Sequence, residues 1–355
     1  MSTSRVPALD GWRATAILVV IASHGVPAQV APWLRAVGPH GVHVFFVISG
    51  FLITSKLLEE EALRGRISLV EFYLRRAFRI LPPALVFLNV VAALGAAGLL
   101  APMPLKEWLV DAFFLTSYVG RFPGRSPYTG HFWSLAVEEH FYLLFPFLLA
   151  RAGSRRLRWL IPALLLAAPL WRWVDAAWVD LRGHAFPGVS PELRTDHVFD
   201  LLLYGCGLAL LFRDERWREW FSRWLRTPAL VVLAAALGVL VWREGPVSLE
   251  GLCIAGLLGG TVLHPEAPFG RVLELAPMQW IGRLSYSAYL WQQLFFVTVM
   301  REPEWPQRFP LNAVLLLAIA LASYHLVEQP MIRLGRRVVA RRRKGSARYP
   351  SAVTS

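Results

Sequence analysis

Two ionisable side chains lie within the first apolar stretch of the chain, which runs from Leu9 to Gly25. Arg13 and His24 are eleven residues apart, so on an α-helix they share one face, about three turns from each other. An ionisable group near the centre of a bilayer costs about 3 kcal/mol, and such groups usually face a bundle interior or a wet cavity. We therefore expect this stretch to form one wall of a functional site.

Both residues also have a purely structural explanation. Asp10 precedes Arg13 by one helical turn, so the two could form an ion pair at the end of the helix. His24 could hydrogen-bond a neighbouring helix without taking part in chemistry. Neither residue alone decides between structure and function.

A second group of polar residues follows a Gly/Pro-rich loop. Ser134, Glu138 and Tyr142 are spaced four residues apart, so they line one face of a helix. A carboxylate in such an apolar segment is best explained as the partner of a buried cation or histidine. Glu138 is therefore a candidate for the same site as Arg13 and His24.

The sequence predicts no metal site and no permanently bound cofactor. A zinc site from Glu138, Glu139 and His140 is unfavourable because adjacent residues of a helix point in different directions. Cys206 and Cys253 lie in apolar segments and match no metal-binding or redox spacing, so we interpret them as packing residues.

Three arginines precede a Pro-Pro pair at the start of the third apolar segment. Arg76 and Arg79 are three residues apart and share a helix face, and Arg75 is adjacent. Guanidinium groups bind phosphates in a bidentate manner, so the cluster could hold a phosphorylated ligand. Anchoring of the helix at a cytoplasmic surface explains the same charges and is favoured by the residues alone.

The fold class follows from composition. The chain has 355 residues, of which 55% are hydrophobic and 17% charged, and apolar runs of membrane-spanning length recur throughout. We predict an all-α, polytopic integral membrane protein with about ten transmembrane helices, at approximately 9–27, 40–58, 81–101, 131–150, 158–175, 197–213, 228–243, 249–264, 284–300 and 310–328.

Lysine and arginine orient this bundle. If the N-terminus is cytoplasmic, 26 of the 37 basic residues lie on the inner side, as the positive-inside rule requires. Both termini are then cytoplasmic, and the net charge of +13 reflects topology and anionic lipid, with no need for nucleic acid. Residues 1–337 form the membrane domain, and the basic tail 338–355 is expected to be disordered.

From Leu9 to about Arg337 the sequence resembles the membrane acyltransferase-3 family, which includes bacterial polysaccharide O-acetyltransferases and macrolide acyltransferases. The most specific element is an Arg, ten residues and a His, present as Arg13 and His24. The other motifs occur in family order: FFVISGFLIT (45–54), RRAFRILPP (75–83), FWSLAVEEHFYLLFP (132–146), SYSAYLWQQ (285–293) and VEQP (327–330).

The resemblance implies a multi-pass enzyme of the bacterial inner membrane. It would transfer an acyl group, which we expect to be acetyl, from cytoplasmic acyl-CoA to a hydroxyl of a glycan or another small molecule. His24 would be the general base, with Glu138 orienting its imidazole. The implied site comprises His24, Glu138 and Arg13 for catalysis, Arg75, Arg76 and Arg79 for acyl-CoA, and Asp10, Ser134, Trp133, Tyr142 and Tyr286 in support.

One position departs from the family pattern. Gln292 stands where many relatives carry a histidine after the tryptophan, so a catalytic role for this position is in doubt. A proton-coupled transporter or flippase is the main alternative, because intramembrane Arg, His and Glu also form proton relays. The sequence shows no inverted repeat that would favour transport, and it does not indicate an oligomeric state.

Overall fold

The computed structural model of the chain describes residues 6–25, 32–119, 125–180, 184–186, 188–296 and 305–348. Within these ranges the regular secondary structure is entirely helical, without a β-strand. This confirms the all-α class predicted from composition.

The described residues form thirteen α-helices. The first six are α1 (Pro7–Gly25), α2 (Pro32–Arg64), α3 (Leu69–Ala96), α4 (Leu105–Ala112), α5 (Phe132–Val174) and α6 (Thr195–Arg213). The others are α7 (Glu215–Trp224), α8 (Thr227–Trp242), α9 (Val247–Leu263), α10 (Pro268–Leu273), α11 (Ala276–Phe295), α12 (Leu311–Ser323) and α13 (Gln329–Arg348).

The centre of each of the ten predicted apolar segments lies in a helix. Two of them fall within α5, on either side of Gly153, whose φ of 73° interrupts the helical backbone. Among the described residues, five helices are long and apolar enough to cross a membrane, or six if the bent pair α7 and α8 forms one span. The chain is thus a multi-pass membrane protein, while the count of ten spans stays a prediction.

The first helix forms the centre of the bundle, between α2 and α11. The contact with α11 is close because Gly282 has no side chain: a Cβ there would lie 1.8 Å from the carbonyl oxygen of Asp10. Gly50 of α2 likewise approaches the backbone of Leu202 in α6. Small residues permit such backbone contacts between membrane helices. Here they hold α1, which carries Arg13 and His24, against α11, and they hold α2 against α6.

The bundle has two chemically different ends. We call the basic end the one where α1 begins, α2 ends and α3 begins, with Arg13, Lys56, Arg76 and Arg79. The other is the histidine end, where α1 ends at Gly25 and carries His24 in its last turn.

The last helix differs from the sequence prediction. We expected a disordered tail from residue 338, whereas α13 continues to Arg348 and residues 349–355 lie outside the described ranges. Arg343 explains the difference, because its guanidinium donates two hydrogen bonds to the Glu71 carboxylate, at 2.9 and 2.5 Å. This contact ties α13 to the start of α3 at the basic end.

Buried carboxylates anchor the segment that leads into α5. Glu107 accepts hydrogen bonds from Thr129 Oγ1 (2.6 Å) and Ser126 N (2.8 Å). Asp111 accepts one from Thr116 Oγ1 (2.6 Å) and lies 3.3 Å from Arg125 Nη2. Burial raises the pKa of Glu107 and raises that of Asp111 to about 6.

A second buried network joins α5 to α6 near the histidine end. Arg194 is fully buried and lies 2.8 Å from a carboxylate oxygen of Asp175 and 2.5 Å from one of Asp196. Arg172 similarly pairs with Asp200 at 2.8 Å. Removing one member of such a buried pair costs about 3–5 kcal/mol because it leaves an uncompensated charge, so these pairs hold α5 and α6 together.

Candidate active site

A pocket with a cavity volume of about 80 Å³ extends from the basic end into the bundle. Its polar lining residues come from α1, α2, α3, α5 and α11: Arg13, Ser49, Arg76, Arg79, Ser134, Glu138, Glu139, Tyr142, Ser285, Tyr286 and Tyr289. The structure therefore brings together residues that the sequence analysis predicted from three distant motifs.

Arginines dominate the wide part of this pocket. The guanidinium carbon of Arg76 lies 4.1 Å from the centroid of the Tyr142 ring, a cation–π contact that fixes its orientation. Arg13 pairs with Asp10 at 3.6 Å, as its structural explanation requires, and also lines the pocket. Lys56, which the sequence analysis missed, interacts electrostatically with Arg76 and Arg79, so four basic side chains gather here.

Arg75 does not belong to the described pocket lining, which differs from its predicted role in acyl-CoA binding. Its guanidinium lies 3.2 Å from both Glu60 and Glu71, and Arg64 contacts the same two carboxylates. Adjacent residues on a helix point about 100° apart, so Arg75 faces away from Arg76. We interpret Arg75 as part of the surface network that connects α2, α3 and α13.

Glu138 also differs from its predicted partner. Its Oε1 accepts a hydrogen bond of 2.5 Å from Ser49 Oγ, and Glu138 lines the pocket with Arg76 and Arg13. The carboxylate therefore balances the arginines and does not orient His24. The i, i+4 spacing found the correct face of α5, but the sequence could not show which helix packs against it.

The inner end of the pocket is closed by hydroxyl groups. Ser134 Oγ and Tyr289 Oη are 2.5 Å apart, so one hydroxyl donates to the other, and the backbone carbonyl of His131, 3.1 and 3.3 Å away, accepts from the hydroxyl whose proton is left. Tyr286 Oη donates to the carbonyl of Ile80 at 2.8 Å. Trp133 is outside the lining and packs edge-on against Phe46 at 6.0 Å between ring centroids, so its role is support.

His24 lies beyond this closure, at the histidine end. Its Nδ1 is 2.8 Å from Oε1 of the fully buried Gln292. A carbonyl oxygen can only accept, so Nδ1 carries the proton and the lone pair of a neutral imidazole is on Nε2. Gln292 thus fixes the tautomer and the orientation of the His24 imidazole, although its departure from the family pattern placed its role in doubt.

His131 occupies the space between the pocket and His24. Its side chain is buried, and its ring contacts those of Phe87, Phe132 and Tyr289 at centroid distances of 5.5, 5.1 and 5.3 Å. These aromatic rings form a collar around the imidazole. The motif SYSAYLWQQ contains Tyr289 and Gln292, but the sequence alone could not show that it lies next to His24.

The arrangement combines two capabilities. An excess of guanidinium groups can hold phosphates, and a histidine with a fixed tautomer can accept a proton from a hydroxyl. Pocket and histidine are adjacent along α11, since Tyr289 lines the pocket and Gln292 follows it by about one turn. A phosphorylated donor and a hydroxyl acceptor could therefore meet between them.

Comparisons with known proteins identify the family of the chain. A family model described as an acyltransferase domain matches residues 6–324. A peptidoglycan O-acetyltransferase OatA of Listeria monocytogenes is 31% identical over 94% of this chain and 57% of its own length. An O-acetyltransferase OatA of Staphylococcus aureus is 30% identical over 93% and 58%, respectively.

The chain thus spans less than two thirds of the length of these relatives. No solved structure matches it significantly. The family match covers all the helices that line the pocket, including α1, which carries His24. The chain therefore belongs to the acyltransferase-3 family.

Proposed function

We propose that this protein is a membrane O-acetyltransferase that takes an acetyl group from cytoplasmic acetyl-CoA and transfers it to a glycan hydroxyl. The observation that carries the proposal is the pocket itself. Three arginines line its basic end, and its inner end lies about one helical turn from Gln292, which holds His24.

The positive charges of the pocket support acetyl-CoA as the donor. Arg76 and Arg79 line the pocket mouth together with Arg13, and CoA carries phosphate groups that guanidinium forks bind well. Glu138 compensates only part of this positive charge. The pantetheine arm would extend from the arginines toward Ser134 and Tyr289, bringing the thioester to the inner end.

The chemical step needs a base. Nε2 of His24 accepts the proton of the acceptor hydroxyl while its oxygen attacks the thioester carbonyl. The C–S bond then breaks, the CoA thiolate leaves, and the proton passes from His24 to the thiolate. General base catalysis of this kind contributes about 10²–10⁴ in rate, and Gln292 stabilises the imidazole in the required orientation.

The proposed topology has ten spans, with the basic end on the cytoplasmic side of a bacterial inner membrane. The positive-inside rule supports this orientation, since Lys56, Arg64, Arg76 and Arg343 all lie at the basic end. Acetyl-CoA would then reach the arginines from the cytoplasm. The acceptor would approach His24 from the opposite side of the membrane.

The acceptor class is inferred from the relatives. Their names describe O-acetylation, in one case of peptidoglycan, and a sugar hydroxyl fits the proposed general base. We therefore propose a glycan hydroxyl, with peptidoglycan fragments as the first acceptor to test.

The proposal can be tested with purified protein in nanodiscs. Radiolabelled acetyl-CoA and soluble peptidoglycan fragments are supplied together, and label transfer and free thiol are both measured. We expect transfer by the wild type, and loss of transfer with intact acetyl-CoA binding in His24→Gln. His184→Gln, which changes an exposed histidine, is the matched control.

Two results would contradict the proposal. Failure of the wild type to bind acetyl-CoA would remove the donor, and proton-coupled transport would then be the function to test. Binding with full transfer activity in His24→Gln would remove the general base.

A further inference from the structure

A cluster of two histidines and one glutamate joins α2 to α9 outside the acyl-donor pocket. Nδ1 of His40 and Nδ1 of His43 lie 2.7 and 2.9 Å from the same oxygen, Oε2 of Glu250. The two imidazole rings are perpendicular, with centroids 5.3 Å apart, so both edges converge on the carboxylate. All three ligand atoms lie within 4.8 Å of one another.

We propose that His40, His43 and Glu250 bind one divalent transition-metal ion that cross-links α2 to α9. Zn²⁺ is the first candidate for this ion. Two histidines and a glutamate form one of the three-ligand sets that hold zinc while leaving a fourth position open. Imidazole nitrogen also suits other first-row metals. The site is independent of the proposed transfer reaction.

The position of the cluster on α2 supports this independence. Val42, Phe45 and Ser49 of α2 line the pocket, whereas His40 and His43 are turned toward α9. Residues three apart share a face of a helix, so the two histidines act as a pair. One helix thus presents the pocket on one side and the metal ligands on another.

Burial favours a bound cation here. The side chain of Glu250 is 1% exposed, that of His43 8% and that of His40 19%. A buried carboxylate needs a positive partner or several hydrogen bonds, and neutral imidazoles supply only two. The partial exposure of His40 leaves a route by which an ion could enter.

The geometry needs only a small adjustment to hold the metal. Ligand atoms around tetrahedral zinc are about 3.3 Å apart for bonds of about 2.0–2.1 Å. The Nδ1 to Oε2 distances of 2.7 and 2.9 Å must therefore open by roughly half an ångström. Each imidazole then carries its proton on Nε2 instead of Nδ1.

A metal at this place would stiffen the helix that faces His24. Gly38 lies against Ser23, the neighbour of His24, and Gly41 packs on the backbone of Ala16. In α2, Gly38 precedes His40 and Gly41 lies between the two histidines. The ion would therefore act on the position of α1 through α2, without touching the reacting atoms.

The alternative is a metal-free cluster, in which the carboxylate simply accepts two N–H bonds. The two arrangements differ in stoichiometric metal binding. The test uses the full chain in nanodiscs, purified with a tag that lacks histidine, stripped with a chelator and titrated with Zn²⁺ and Co²⁺. Bound metal is measured by mass spectrometry, and Co²⁺ coordination by visible absorption.

We expect the wild type to bind one Zn²⁺ per chain and to give the intense visible bands of four-coordinate Co²⁺. The affinity for Zn²⁺ and for Co²⁺ should fall by more than about 100-fold in His43→Gln. Loss of a residue that only hydrogen-bonds a metal ligand already lowers metal affinity by about 10–100-fold. His40→Gln, at the more exposed ligand, serves as the second variant should His43→Gln fold poorly. His184→Gln should bind like the wild type.

Zn²⁺ should also raise the unfolding temperature of the wild type but not that of His40→Gln, because a ligand that binds only the folded state stabilises it. Absence of stoichiometric Zn²⁺ binding by the stripped wild type overturns the proposal. Equal binding by the wild type, His40→Gln and His43→Gln overturns it as well, because the ion would then bind elsewhere.

Discussion

The two ends of the bundle differ in how their charged side chains are paired. At the basic end, Arg13, Lys56, Arg76 and Arg79 gather around one pocket, whose lining also contains Glu138 and Glu139. At the histidine end, the buried charges are matched inside the protein, as in the pairs of Arg194 with Asp175 and Asp196. Matched charges stabilise a fold, whereas an excess of one sign is available for a ligand.

The comparison predicts a division of roles among these residues. Substitutions at the pocket should alter donor binding with little effect on folding. Substitutions in the matched networks should alter folding, and those at His24 should alter the chemical step. The following experiments test that division, in order of decreasing expected effect.

Replacement of His24 should have the largest effect. His24→Gln removes the base while keeping a polar side chain, so the rate of acetyl transfer should fall by about 10²–10⁴. The dissociation constant for acetyl-CoA, measured by calorimetry, should not change. A variant that loses donor binding together with turnover would place His24 in the donor site instead.

Replacement of an arginine at the pocket should weaken donor binding. Each hydrogen bond to a charged group contributes about 1.5–3 kcal/mol, so Arg76→Ala or Arg79→Ala should raise the dissociation constant by about 10-fold to 150-fold. Arg223→Ala, on the surface helix α7, is the matched control. Equal weakening by the control would show that the effect is general electrostatics.

Asp111 should make stability depend on pH. Burial raises its pKa from 3.8 to about 6 in the folded state, so the folded state keeps a proton that the unfolded state loses. Stability is then highest below about pH 4 and falls as the pH rises through about 6. The upper limit is about 3 kcal/mol, for a shift that already includes the opposing charge of Arg125.

The check is the unfolding temperature between pH 4 and pH 8. The curve should flatten in Asp111→Asn but not in Glu192→Gln, which changes an exposed carboxylate of the same end. Parallel curves for the wild type and Asp111→Asn would show that Asp111 is ionised throughout.

Gln292 should influence the rate moderately. Gln292→Leu removes the hydrogen bond to His24 Nδ1, which contributes about 0.5–1.5 kcal/mol, so turnover should fall by about tenfold or less. Donor binding should stay constant, and Gln292→His should restore part of the rate. Unchanged turnover in Gln292→Leu would mean that other contacts suffice to orient the imidazole.

The contact between Arg343 and Glu71 should matter least. Arg343 is 44% exposed, and pairs of this kind contribute about 0–1 kcal/mol. Arg343→Ala should therefore lower the unfolding temperature by only a few degrees and leave transfer unchanged. A larger loss would show that α13 supports the pocket through α3.

Local patterns predicted most of the fold and part of the site. Apolar runs located the helices because the bilayer requires about 20 such residues for each span. The RRAFR motif and the spacing of Ser134, Glu138 and Tyr142 correctly indicated residues of one pocket. Such patterns are local, so a window of a few turns contains them.

Partners distant in sequence could not be predicted in this way. Gln292 is 268 residues from His24, and Glu250 is 207 residues from His43. Periodicity shows which face of a helix is polar but not which helix will cover it. For the same reason Glu138 was assigned to His24, whereas the packing of α2 against α5 gives it to Ser49.

The aromatic collar around His131 has a bioenergetic consequence. A protein that opens toward both faces of an energised membrane would leak protons through any continuous file of water. Phe87, Phe132 and Tyr289 surround His131 between the pocket and His24, and their rings leave an apolar layer at that level. The collar would interrupt such a file of water between the pocket and His24 and so help to insulate the membrane.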